Sequence, residues 1–362
     1  MLNEIIEFIK VLMSFPTTDD RQAEVNQCFK EIKNRFKEQF ILKEYRFRRR
    51  NMLVLSNTES KKLDLILAGH IDVVPTYGKG GYSLKEKGDR LYGRGVFDMK
   101  GPLAVCLFAL KSYLSNDKKK PRLKIALLIT ADEELDGLST RYLIDKIGYR
   151  AKFAIIPDGG SESEVVIAQK GFWQFKLTIG GKTAHAAYPF KADNPIEKIF
   201  FFYDQLLKQF PPPQNAEDWK TSIVLTKIVS GEAINQIPGE ATAYFDVRYV
   251  DKKDQSVILR KIHKLPKKKF KYEIVAENNL TWVDEKLDFI VRLKKTIETV
   301  SGKVSFVKTC GTSDAVFLAD KDIPTVLFSP DGGGAHQERE WVDKKSLKNF
   351  YKILVTFLEK IS

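Results

Sequence analysis

Apolar residues at Leu2, Ile5, Ile6, Ile9, Leu12 and Met13 recur at the spacing of one helix face, and a second, more charged amphipathic stretch runs from about Gln22 to Phe40. Both predict helices lying on a sheet. Apolar, β-prone runs follow at Asn51–Leu55, Leu63–Ala68, Leu123–Thr130 and Phe153–Ile156, with helical periodicity over Pro102–Leu114 and Ser139–Ile147 between the later ones. Strands this continuously apolar, alternating with helices, predict an α/β domain with a mixed sheet covered by helices on both faces.

The texture changes after Gln169-Lys170-Gly171. Strand patterns over Phe172–Ile179, Thr221–Val229, Glu240–Val250 and Lys271–Ala276 enclose helices over Asn194–Gln209 and Asp254–Lys264. That order is β-α-β-β-α-β, the ferredoxin-like arrangement. The chain then returns to helix (Leu287–Val300), strand (Thr325–Ser329) and a last helix (Lys344–Ile361), so an α+β domain over 172–280 interrupts a discontinuous domain made of 1–171 and 281–362. Beyond the short basic stretch Pro266–Lys271 there is no low-complexity segment, and no repeat.

With 362 residues, 43% of them hydrophobic, the chain is long enough for two full cores. Its net charge of +13 raises the possibility of a basic, non-catalytic nucleic-acid-binding protein, but the lysines and arginines are mixed with acidic residues rather than gathered into aromatic-studded patches. The charge is read as a solvated surface that draws in anionic substrate, with no nucleic-acid partner. Cys28, Cys106 and Cys310 are widely spaced and odd in number, which argues against a disulfide framework or a thiolate metal site and fits a reducing cytoplasm. Neither a signal peptide nor a membrane span is recognisable, and no membrane partner is expected.

Against four histidines in all, His70 in Gly-His-Ile-Asp-Val-Val-Pro and His336 in Gly-Ala-His-Gln-Glu-Arg-Glu bracket an ordered series of carboxylates: Asp72, Asp98, Glu133, Glu134 and Asp158. If the strand ending at His70 stays extended, Asp72 points to the same side and its carboxylate accepts the second ring N–H of a metal-ligating His70. Asp98, on a glycine-rich loop entering a helix, reads alone as a helix N-cap; beside the others it is placed to bridge two ions about 3.5–4 Å apart. The pair Glu133-Glu134 ends an apolar strand, where buried carboxylates need cations to balance them. One should ligate, for which Glu134 is chosen, and Glu133 should take a proton from the attacking water. Asp158 lies just past another strand end, the edge at which open α/β sheets place their crevices.

These residues, with Gly93-Arg94-Gly95 and Asp98-Met99-Lys100-Gly101, resemble the M20 family of dinuclear zinc peptidases and deacylases along essentially the whole chain. The resemblance implies His70, Asp98 and Asp158 on one ion, Asp98, Glu134 and His336 on the other, and Glu133 as general base. The cofactor implied is two Zn2+, with Co2+ or Mn2+ as substitutes. A lid domain that forms a homodimer is implied as well. Its segment Gly181-Lys182-Thr183-Ala184-His185 looks like the family's lid histidine segment, so His185 is expected to donate to the oxyanion.

Asn235 and Arg248 lie in stretches that resemble lid segments contacting substrate, and Gly311-Thr312-Ser313-Asp314 resembles the substrate loop of the succinyl-diaminopimelate desuccinylase and acetylornithine deacetylase branch. Arg248 is suited to a carboxylate grip, although a surface ion pair, and a turn or helix cap at 311–313, explain the same residues. Two departures from that branch matter: Pro157-Asp158-Gly159 stands where it has Glu-Pro-Thr, and Ala315-Val316-Phe317 follows the Ser-Asp pair where it has an arginine. The expected activity is amide hydrolysis of a small carboxylate-bearing N-acyl amino acid of the succinyl-diaminopimelate type. An aminopeptidase or dipeptidase is the alternative.

Overall fold

In the computed structural model, residues 1–76, 81–115, 123–215, 217–265 and 269–361 are described, so part of the basic stretch 266–271 lies outside them. The chain divides into two compact units: residues 1–167, 282–307 and 313–362, and residues 168–281 with 308–312.

The centre of the first unit is a run of four parallel strands in the order Ile125–Thr130, Lys62–His70, Arg150–Ile156, Thr325–Leu327. A hairpin, Ile41–Phe47 with Arg50–Ser56, adds antiparallel strands at one side, and Glu164–Gln169 continues the sheet antiparallel at the other. Side chains alternate between the faces, as a strand's period of two requires. Leu65, Leu67, Leu127 and Ile129 pack beneath the helices Leu2–Met13, Gln22–Phe36, Lys100–Ser115, Asp288–Ser301 and Lys344–Ile361, whereas Ile66, Ala68, Ala126 and Leu128 join a second core with Leu143, Ile144 and Leu318. The sheet is thus mixed and covered on both faces, as the sequence implies.

Several details differ from the pattern in the sequence. The second helix stops at Phe36, not Phe40, and the hairpin strand Ile41–Phe47 that follows is unanticipated. That strand forms the sheet's edge and carries Lys43, Glu44 and Arg46, so its alternation is too polar to stand out. The strand Glu164–Gln169, buried through Val165-Val166-Ile167-Ala168, is also unanticipated.

Register lines up the parallel strands along one edge: His70 pairs with Thr130, and Leu327 with Ile156. Asp72, the Glu133-Glu134 pair and Asp158 follow the ends of three of these strands. A small antiparallel sheet, Gly332–Gly333, Trp341–Asp343, Arg90–Tyr92 and Lys85–Lys87, joins the two loops that carry His336 and Asp98. Gly101, the second residue of the helix after Asp98, leaves no room for a side chain, because a Cβ there would sit 2.0 Å from the Val96 carbonyl oxygen, a backbone atom that cannot step aside.

The second unit has a four-stranded antiparallel sheet in the order Ser222–Ser230, Glu240–Tyr249, Gly171–Gly180, Phe270–Asn278. Helices Pro195–Gln209 and Lys252–His263 pack on one face, over Trp173, Phe175, Leu177 and Ile179. Each helix begins at a side-chain cap, Asn194 accepting from the Ile196 N–H and Asp251 from the Lys253 N–H. This is the ferredoxin-like strand order. Among the described residues no helix is long and apolar enough to cross a membrane.

Candidate metal centre

His70 is the last residue of its strand and is 1% exposed. Beyond it the chain leaves the sheet, which corrects the expected partnership with Asp72: the Asp72 main-chain oxygen lies 3.0 Å from Nδ1, while the carboxylate Oδ1 is farther, at 3.4 Å. Asp72 Oδ2 instead accepts the Glu134 N–H at 3.0 Å. One residue therefore orients the imidazole through its carbonyl and holds the acidic turn through its side chain. The other ring nitrogen, Nε2, is buried without a hydrogen-bond partner among the described residues and faces Asp98 Oδ1 at 3.2 Å and Glu133 Oε2 at 4.0 Å.

Asp98 is the link. Its second oxygen, Oδ2, lies 3.3 Å from His336 Nε2, which also meets Glu134 Oε2 at 2.9 Å. His336 reaches inward from a half-exposed loop with φ of 62°, a left-handed conformation in which histidine is enriched among non-glycine residues. Ligand atoms of His70, Glu133 and Asp158 lie within 4.8 Å of one another, as do those of Asp98, Glu134 and His336. The six residues, which come from five separate stretches of chain, thus form two adjoining N/O donor sets. An imidazole nitrogen orphaned in the protein interior beside three carboxylates fits a divalent cation, which accepts the lone pair that no N–H here can reach.

The same crowding sets the charges. Burial raises Glu133 well above an ordinary glutamate, and the carboxylates of Asp158, Asp314 and Asp72 add to it. Burial, with Asp98 nearby, lifts Glu134 to about 7, and burial lifts Asp158 to about 6. Burial works the same way on Asp98, but the His336 and His70 imidazoles outweigh it and hold that carboxyl below the usual range. Reciprocally, the hydrogen bond to Asp98 pushes His336 up to about 9. A cation must displace the protons these groups hold. Zinc uptake by the metal-depleted protein should release protons, and affinity should climb as pH rises from about 7 to about 9, where Glu134 and then His336 lose theirs. Titration calorimetry in buffers of different ionisation enthalpy checks this; heats independent of the buffer would contradict it.

The remaining candidates divide between the two units. His185, Asn235, Arg248, Gly311 and Thr312 belong to the second unit, and Ser313 to the first. His185 is exposed on the short strand Ala184–His185, where its Nδ1 accepts the Ala187 N–H at 3.1 Å, and the Asn235 carbonyl accepts the Ala186 N–H at 2.8 Å. Arg248 grips a carboxylate of its own strand, with Nε 2.8 Å from Asp246 Oδ1 and Nη2 3.3 Å from Oδ2, while Nη1 reaches Thr312 Oγ1 at 3.4 Å. Gly311 donates its N–H to Thr309 Oγ1 at 3.3 Å. Ser313 Oγ accepts the Ala315 N–H at 3.3 Å, a serine turn just before the helix Ala315–Ala319.

Residues 66–360 match the family model of peptidase family M20/M25/M40. The chain belongs to that family. A succinyl-diaminopimelate desuccinylase of Legionella pneumophila (strain Lens) is 30% identical over 315 residues, spanning 82% of this chain and 83% of that protein. Among solved structures, the aminopeptidase PepT of Bacillus cereus superposes with a TM-score of 0.82 at 19% identity, covering 100% of this chain and 99% of that one. An M20 metallo-carboxypeptidase of Sulfolobus solfataricus gives 0.75 at 18% identity, covering 99% and 98%.

As an M20 protein this chain is a metal-dependent hydrolase, and its fold is that of the family's catalytic domain with an added lid domain. Two supporting groups of its centre have little signature in the sequence. Asp132, fully buried, binds Arg50 Nη1 at 2.9 Å and the Ser139 N–H at 3.0 Å through Oδ2, anchoring the turn that presents Glu133 and Glu134. Glu340, 1% exposed, lies among the N–H groups of the Asp98 loop. Asp132 could have been read from its place beside the glutamates; Glu340 sits in a charged run, Glu338-Arg339-Glu340, of the kind that marks a solvated surface.

Proposed function

We propose that this M20 hydrolase cleaves the amide bond of a small carboxylate-bearing N-acyl amino acid of the succinyl-diaminopimelate type, using two divalent ions. The observation that carries the two-ion reading is the Asp98 carboxylate, one oxygen 3.2 Å from His70 Nε2 and the other 3.3 Å from His336 Nε2. His70 and Asp158 with Asp98 would hold one ion, and Glu134 and His336 with Asp98 the other. Zinc suits these donors, and Co2+ or Mn2+ can occupy the same N/O sets. Bound there, the ions supply Lewis-acid polarisation of the scissile carbonyl and acidify water toward a pKa of about 7.

Glu133 could serve as a third ligand beside His70 and Asp158, but Asp98 Oδ1 stands closer to His70 Nε2, at 3.2 Å against 4.0 Å. That leaves Glu133 free as general base. Burial and three neighbouring carboxylates make it hold a proton more tightly than an ordinary glutamate, the property required of a group that takes a proton from water and returns it to the departing amine. His185 is assigned to the oxyanion, supplied by the lid of a partner subunit in a homodimer, and a donor of that kind contributes a few kcal/mol to the transition state. A reducing cytoplasm agrees with the free cysteines Cys28, Cys106 and Cys310.

The desuccinylase relative supports the acyl substrate. The second reading, an aminopeptidase or dipeptidase, is favoured by Asp158 at the ligand position and by Arg248, whose guanidinium is already held by Asp246. Assay of the purified zinc enzyme against succinyl-diaminopimelate, acetylornithine and a dipeptide panel separates the two. Turnover of the succinyl substrate is expected; activity confined to dipeptides would replace the first reading with the second.

A further inference from the structure

The loop that carries Asp98 and the loop that carries His336 meet at one side chain. Glu340, four residues after His336, accepts the N–H groups of Gly95, Phe97 and Asp98 on Oε1 at 2.9, 2.9 and 3.0 Å. Its Oε2 takes the Gly95 N–H at 3.0 Å and Arg94 Nη1 at 2.7 Å. Arg94 closes the circuit by donating Nη2 to the Gln337 carbonyl at 3.0 Å, and the Gly93 N–H donates to the Glu340 carbonyl at 3.1 Å.

Backbone N–H groups turned inward around a carboxylate form an anion nest. The nest depends on Gly95, whose φ of +88° is left-handed and whose absent Cβ would meet Val73 Cγ1 at 2.8 Å. Arg94 and Glu340 are both buried, 5% and 1% exposed, so each charge relies on the other for compensation.

We infer that Glu340, acting with Arg94, is a positioning residue that sets the spacing of Asp98 and His336 and so prepares the donor set these two complete with Glu134. The inference rests on the two-ion reading above. It follows from the hydrogen bonds: Glu340 holds the main-chain N–H of Asp98 itself, while its own backbone and Arg94 secure the loop on which His336 stands. Charged, buried carboxylates that orient ligands from behind are worth about 10–100-fold in metal affinity.

The test is a Co2+ titration of the metal-depleted full-length protein, followed by calorimetry and by the visible absorption of bound cobalt. In Glu340→Gln the ion held by Asp98, Glu134 and His336 should bind about 10–100-fold more weakly, with a smaller change at the His70 and Asp158 set. Arg94→Lys keeps the positive charge but loses the fork between Glu340 and Gln337, and should give an intermediate loss at the same ion. Wild-type affinities in a folded Glu340→Gln, or equal losses at both ions, would overturn the inference, since a general loosening of the fold does not choose between them. Should Glu340→Gln fail to fold, Arg94→Lys decides, and unchanged affinity there overturns it. If the wild type itself takes up one ion only, the two-ion reading fails, and the clamp is judged by that ion's affinity in the same variants.

Discussion

Glutamine at position 133 should leave the metal content of the protein unchanged and lower turnover by about 10²–10⁴-fold, the usual contribution of a positioned general base. The substitution keeps the shape of the side chain and removes only its ability to take up a proton. Its outcome separates base from ligand, two roles that the geometry brings close together, because Glu133 lies within reach of His70 and Asp158. Metal analysis with steady-state kinetics on the same preparation reads both. Loss of an ion from Glu133→Gln would move this residue into the ligand set, and turnover within tenfold of wild type would remove it from the chemistry altogether.

A larger loss of metal is expected from Asp98→Ala than from His336→Ala. Among the described residues Asp98 is the only carboxylate with one oxygen beside His70 and the other beside His336, so removing it takes a ligand from both sets at once, whereas His336 belongs to one. Asp98→Ala should empty both sites on dialysis and lower activity by more than the 10–100-fold, roughly, that accompanies loss of an outer partner. His336→Ala should retain one ion. Both can be read by metal analysis of the dialysed proteins, and an Asp98→Ala protein that keeps two ions would end the bridging assignment.

Much of this centre is legible in the chain because its donors sit where local periodicity breaks. His70 closes a buried strand, Glu133 and Glu134 follow another by a few residues, and Asp158 follows a third. A carboxylate at the end of an apolar strand has few structural uses, so the residue types and their positions together suggest a cation. Arg248 was legible in a different sense. It lies two residues from Asp246 on one strand, hence on the same face, and their ion pair follows from a period of two.

Other features had no such signal. The role split of Asp72 depends on contacts its carbonyl and carboxylate make just past the strand end at His70, which neither residue type reveals. Glu340 reads as one charge in a polar run, and only the fold surrounds it with three N–H groups from a loop more than two hundred residues earlier in the chain.

The sequence by itself determined the inventory: which strands are buried on both faces, where they end, and which imidazoles and carboxylates stand at those ends. These are consequences of short-range spacing, the period of two along a strand and of 3.6 along a helix. The tertiary structure decided what those groups do to one another. Parallel register set His70 level with Thr130, and a buried carboxylate tied the Asp98 loop to the His336 loop. Distances between donors so far apart in the chain arise from packing and hydrogen bonds that no local pattern encodes, and on those distances the proposed two-ion chemistry rests.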